Sequence, residues 1–344
     1  MKICIMKNLS KNRLILLAII VISIVGCRKD IPPLIKPVEN CGCTEAWCDS
    51  FPPTPEIGFN YTMEGTQYLA PSFNPNNANE FVYLRWNGSN HAELVIYNIT
   101  SGVESVILDP MSLGRPQWGK SGFIIFQYSD NCIWKIQPDG SNLTKLTNYS
   151  SSNPVFSPDG NYFTTFGAHP DISNNLLYQP ILDLNGALVD SFKYEYSGEY
   201  FGMPMVPIDN QFNGYYCYTL NSPSPVVMVG FCLKQGDTIT KLKNFKYQGT
   251  MWDAVINGSS LFFGTYWNHL SRLDLTTHEI TAYRVGCKSR FYQHMSVSPD
   301  EKFLVVQKVI SKPYDNDQSI DVQNEIWLVS LDSCTQSDIK LLGD

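Results

Sequence analysis

The segment Pro154-Val-Phe-Ser-Pro-Asp-Gly160 is followed by the strand-like run Tyr162 to Phe166, and the same arrangement returns as Met295-Ser-Val-Ser-Pro-Asp-Glu301 followed by Phe303 to Val306. Each reads as a short strand, a tight turn and a second strand. Proline presets φ at the second turn position, aspartate follows, and Gly160 tolerates a positive φ. A chain that repeats one hairpin at a distance must fold as an array of equivalent units.

Further copies complete the pattern. Ile133 to Ile136, the turn Gln137-Pro-Asp-Gly140 and Leu143 to Thr147 form another hairpin; Pro71 to Pro75, Pro116 to Trp118, Pro204 to Asp209 and Trp252 to Gly258 open degenerate units. The residues just before the proline-equivalent position are Ala70, Arg115, Asn153, Met203, Met251 and His294, with separations of 38 to 50 residues. A period of that length holding four strands specifies the blades of a β-propeller. Six blades are expected, since a seventh would have to lie within 37–69. Aromatic residues make up 13% and charged residues only 17% of the chain, and the mature sequence carries no sustained helical apolar period. Both features fit an all-β protein.

The run Trp134-Lys-Ile-Gln-Pro-Asp-Gly-Ser-Asn-Leu-Thr-Lys-Leu-Thr147, with the two Ser-Pro-Asp hairpins, resembles the repeats of TolB-like propellers. The resemblance runs from about Ile57 to Leu342 and is carried best by the second, third and last units. It implies a six-bladed ring in a bacterial envelope. No counterpart of the separate N-terminal domain of TolB is expected.

The N-terminus supplies the compartment. Lys2, Lys7, Lys11 and Arg13 precede the apolar run Leu14 to Val25, which ends Val25-Gly26-Cys27. A basic start with an apolar core shorter than the ~20 residues of a membrane span reads as a secretion signal. Gly26-Cys27 resembles a bacterial lipobox, which implies cleavage before Cys27 and lipidation of its thiol. Residues 1–26 are then a signal peptide and 27–55 a tether rich in proline, whose fixed φ and missing donor favour extended chain. Residues 56–344 form the propeller. Contact with the membrane is expected through the lipid alone, at the outer membrane or cell surface in preference to the inner membrane.

Cysteines divide in the same way. Cys41, Cys43 and Cys48 lie in the tether without the spacing of a zinc ribbon and suit an oxidising compartment. Cys132, Cys217, Cys232, Cys287 and Cys334 lie in the propeller. Cys217 and Cys232 fall on neighbouring strands but offset, and Cys287 with Cys334 share the last unit.

The innermost strand of each blade faces the channel, so Arg115, Asn153, His294, Gln293 and Asp253 are the candidate binding residues at its mouth. Two readings follow. The first is a non-catalytic module that binds a protein or glycan partner and carries no cofactor. The second is a metal-dependent, polysaccharide lyase-like enzyme that uses His294 and Gln293 as ligands, with His169 and His269 as further candidates. A net charge of −7 argues against nucleic acid. Gly114 to Ser121 matches the phosphate-loop pattern G-x-x-x-x-G-K-S, but that chemistry needs a following helix, and Phe123 to Phe126 reads as a strand. His278-Glu279 lacks the second histidine of a zinc protease helix. No G-x-S-x-G elbow is present, so a peptidase half is missing. Most of the tryptophans are expected to pack between blades, with Trp267 the one that reads as exposed.

Overall fold

The structure, a computed structural model, describes the strand Lys36–Pro37 and residues 60–343, apart from 64, 89–91, 110–113, 168, 173–177, 194, 197–198, 221–226, 248–250, 266–269, 285–289, 314–318 and 332–337. The segment read as a signal, together with Cys27, Cys41, Cys43, Cys48, Cys287, Cys334, His269 and Trp267, lies outside the described residues. Those described hold strands and turns and no helix.

Six antiparallel sheets follow one another along the chain. Their innermost strands are Gln67–Asn74, Gln117–Trp118, Ser152–Phe156, Glu199–Pro207, Met251–Asn257 and Arg290–Val297. In each blade the second and third strands follow outward in sequence order. The protein is a six-bladed propeller with four-stranded blades, as the repeat requires.

The core lies between the blades. Six clusters of buried side chains each join two neighbouring sheets, for example Cys217 and Phe231 of blade four with Leu261 and Phe263 of blade five. Phe231 and Phe263 meet edge to face with centroids 5.0 Å apart. Phe73, Phe81 and Val95 of blade one pack on Val305, Ile326 and Leu328 of blade six, so the apolar core runs round the whole ring. Burying about 150–250 Å² per aromatic ring makes these interfaces the main source of stability. Trp118 is buried at the seam between blades one and two, and Trp134 packs beside it. Gly264 lets blade six approach blade five, since a Cβ there would lie 2.2 Å from the carbonyl oxygen of Tyr292.

The repeated turn behaves as its sequence dictates. In Ser157-Pro-Asp-Gly160 the Gly160 amide donates to the Ser157 carbonyl at 2.9 Å, and the Ser157 hydroxyl donates to Asp159 at 2.7 Å. Ser298 and Asp300 reproduce both contacts, at 2.9 Å for the Glu301 amide and 2.6 Å for the hydroxyl. Gly160 has φ 75° and Glu301 φ 59°. Blade two makes the same turn at Gly119 to Gly122, where the Gly122 amide donates to Gly119. The phosphate-loop match therefore ends in a hairpin. His278 likewise sits in a turn, with φ 58°.

Blade six closes the ring by a means the repeat did not signal. Its third strand, Ser319–Ser330, pairs on its outer side with Ile339–Leu342 antiparallel and with Asn60–Met63 parallel. Towards blade one, a chain of amides crosses the seam. Gln307 accepts from the Ala70 amide at 2.8 Å and donates to Gln293 at 2.9 Å and Asn324 at 2.7 Å. The Asn324 backbone and side-chain amides both donate to Gln67 at 2.8 Å. Buried amides are stable only when paired, and here they pair with one another.

Cys217 and Cys232 are adjacent in register but offset by one residue, since Tyr216 opposes Cys232 and Cys217 opposes Phe231. Neighbouring positions point to opposite faces. Cys217 thus packs towards blade five and Cys232 towards blade three. Both are free thiols.

Candidate functional site

Five of the six inner strands share one irregularity. Register shifts fall between Leu69 and Ser72, Ser152 and Val155, Gly202 and Met205, Met251 and Asp253, and Gln293 and Met295. These bulges coincide with the column of residues read from the sequence as channel positions. Ala70 and Asn153 take φ 49° and 47° there. A bulge re-aims the side chains on either side of it, which is what sorts the candidate residues.

Arg115, on the approach to the inner strand of blade two, reaches across the axis to Asp253 of blade five and pairs with its Oδ2. In a ring of six these blades stand opposite each other. Asp253 also accepts from the Ala254 amide at 3.0 Å and the Met295 amide at 2.9 Å. Oriented to satisfy both groups, the Gln117 side-chain oxygen accepts from Arg115 Nε at 3.3 Å and Nη2 at 3.1 Å. Burial raises the Asp253 carboxyl, while Arg115 and the two amides oppose that rise. His294 Nδ1 lies 3.9 Å from the same Oδ2. Burial, reinforced by Arg115, lowers the His294 imidazole to about 3, so it is neutral at physiological pH.

Three of the five candidates, Arg115, Asp253 and His294, come together. The other two do not join them. Asn153 is exposed at its bulge. The Gln293 oxygen, which a metal would use, accepts from Gln307 in the closing seam. His169 is buried elsewhere, edge-on to Tyr149 at 5.0 Å, and its Nδ1 accepts from the Asp171 amide. Among the described residues no three of His, Cys, Asp and Glu converge as a metal site.

Beside the ion pair lies a cavity of about 240 Å³ lined from every blade, by Ser72, Gln117, Val155, Val206, Asp253 and Ser296 among others. Five of these six stand two residues after the column chosen from the sequence, and Val206 stands three after it. Ser72, Gln117 and Ser296 were therefore missed, although aligning the units two positions later would have found them.

No family model and no curated protein matches the sequence. Solved structures do. The putative TolB from Agrobacterium tumefaciens superposes with a TM-score of 0.52 at 12% identity, over 72% of this chain and 88% of that one. The likeness is one of fold. The propeller domain of the trilobed protease from Pyrococcus furiosus gives 0.50 at 11% identity, over 81% of this chain and 98% of that one. The TolB-like propeller suggested by the repeat is thus matched in three dimensions, by proteins of differing roles. One fold serves many functions, which reside in the site and not in the fold.

Proposed function

We propose that this chain is a lipid-anchored lipoprotein of a bacterial cell envelope, whose propeller docks a protein or glycan partner without catalysing a reaction. The observation that carries the docking reading is the pairing at the axis. Asp253, the carboxylate in the lining of the axial cavity, is taken up by Arg115 and two backbone amides. A residue so engaged braces the ring and is poorly available as a base or ligand. What remains for recognition is the rigid surface of the blades.

The anchor rests on the sequence: a basic start, an apolar core and Gly26-Cys27. Two or three acyl chains hold a protein stably to a bilayer, where one does so only marginally. A random coil of the length of 27–55 spans roughly 30 Å.

Two experiments test the reading. Cys27→Ala is expected to shift the protein from the membrane fraction to a soluble or uncleaved form; a mature-sized, membrane-bound C27A protein refutes the anchor. Pull-down from envelope extracts and glycan arrays should yield a partner, whereas a stoichiometric metal that His294→Ala removes would favour the carbohydrate-active enzyme instead.

A further inference from the structure

The axial cavity holds an imbalance of hydrogen-bonding groups. The Ser72 hydroxyl oxygen accepts from the Trp118 amide at 3.1 Å, and that of Ser296 accepts from the Phe73 amide at 3.0 Å. Each hydroxyl therefore keeps its proton for another acceptor. Gln117 gives its oxygen to Arg115, which leaves its NH₂ group to donate. On Arg115 the Nε and Nη2 groups are engaged with Gln117 and Asp253, and neither contact uses the two Nη1 hydrogens. The carboxylate among the lining side chains, Asp253, already receives Arg115 and two amides. Four lining side chains thus offer donors.

Charge narrows the choice. Arg115 and Asp253 neutralise each other in contact, so an anionic ligand would bring an uncompensated charge beside a carboxylate in a buried place. The rest of the wall is apolar and includes Val155, Phe156, Val206, Val255 and Val297. At a water's ~30 Å³ share of liquid volume, the cavity has room for about eight non-hydrogen atoms.

We propose that the axial cavity is a binding site for a small neutral carbonyl compound, a lactone, ester or ketone on a compact apolar body. Its oxygen accepts from Arg115 Nη1, with Gln117 and the two serines around it, and its hydrocarbon part lies against the valines and Phe156. This goes beyond the docking reading and is independent of it: a partner can bind the blades whether or not the cavity takes a ligand.

The test is calorimetric titration of the full chain with δ-hexalactone and, as a charged counterpart with the same number of heavy atoms, hexanoate. The lactone is expected to bind, and hexanoate to bind at least about tenfold more weakly. Arg115→Met should weaken the lactone by a further tenfold or more. Because that variant also breaks the axial ion pair, Val297→Phe serves as the second probe, filling the cavity while leaving every donor in place. It should abolish binding with the circular dichroism spectrum unchanged. Absence of lactone binding up to about 10 mM, tighter binding of hexanoate, or undiminished binding to V297F would overturn the proposal.

Discussion

Arg115 of blade two and Asp253 of blade five form an ion pair across the propeller axis, with side chains only 12% and 4% exposed. The contact ties together two blades that are far apart both in sequence and around the ring. Its energetic sign depends on which partner is removed. Deleting one charge strands the other in a buried place, at about 3–5 kcal/mol, whereas removing both costs far less. Asp253→Leu and Arg115→Met should each lower the urea midpoint markedly, and the double variant should recover most of the loss. Additive losses in the double-mutant cycle would show that the pair does not act as a unit.

His294 makes stability depend on pH. Its folded value of about 3 lies below the ordinary 6.5, so the unfolded chain takes up the proton first. The stability it contributes is present above about 6.5 and is lost as pH falls towards 3, by up to about 1.4 kcal/mol per pH unit. His294→Asn should flatten that part of the stability–pH curve, measured by urea unfolding between pH 7 and pH 4. An unchanged slope would assign the acid sensitivity to other groups.

The two Ser-Pro-Asp turns offer an internal control. Glu301 holds φ 59° where its counterpart Gly160 holds 75°. A non-glycine residue in the left-handed region costs about 1 kcal/mol. Glu301→Gly should therefore raise the melting temperature slightly. Gly160→Ala should lower it by more, because its Cβ would also lie 2.8 Å from the Lys120 amide nitrogen.

Closure of the ring depends on Gln307. It is buried and joins Ala70, Gln293 and Asn324 through three hydrogen bonds. Gln307→Leu keeps the volume and leaves the Ala70 amide and the Asn324 oxygen without their partner, at about 1–3 kcal/mol for each buried group. Hydrogen exchange should report the loss as faster opening along Gln67–Asn74 and Ser319–Ser330. Protection unchanged at that seam would mean that the apolar contacts alone close the ring.

What the sequence determined by itself was local and periodic. The Ser-Pro-Asp turns, the strand runs beside them and the spacing of the units are set by φ preferences and by apolar alternation, which neighbouring residues control. From these came the all-β class, the number of blades and the column of inner-strand positions that holds Arg115 and His294. Tertiary structure decided the rest. The bulges at Ala70, Asn153 and their equivalents shift which side chains reach the axis, and no residue type announces them, since Ala70 is not a residue suited to a positive φ. The pairing of Arg115 with Asp253 joins opposite blades and exists only once the ring has closed. Gln293 shows the same limit from the other side: it sits beside His294 in sequence, yet Gln307 draws its side chain into the seam. Local propensity acts over a few residues, whereas a channel is built by six strands that meet only in the finished ring.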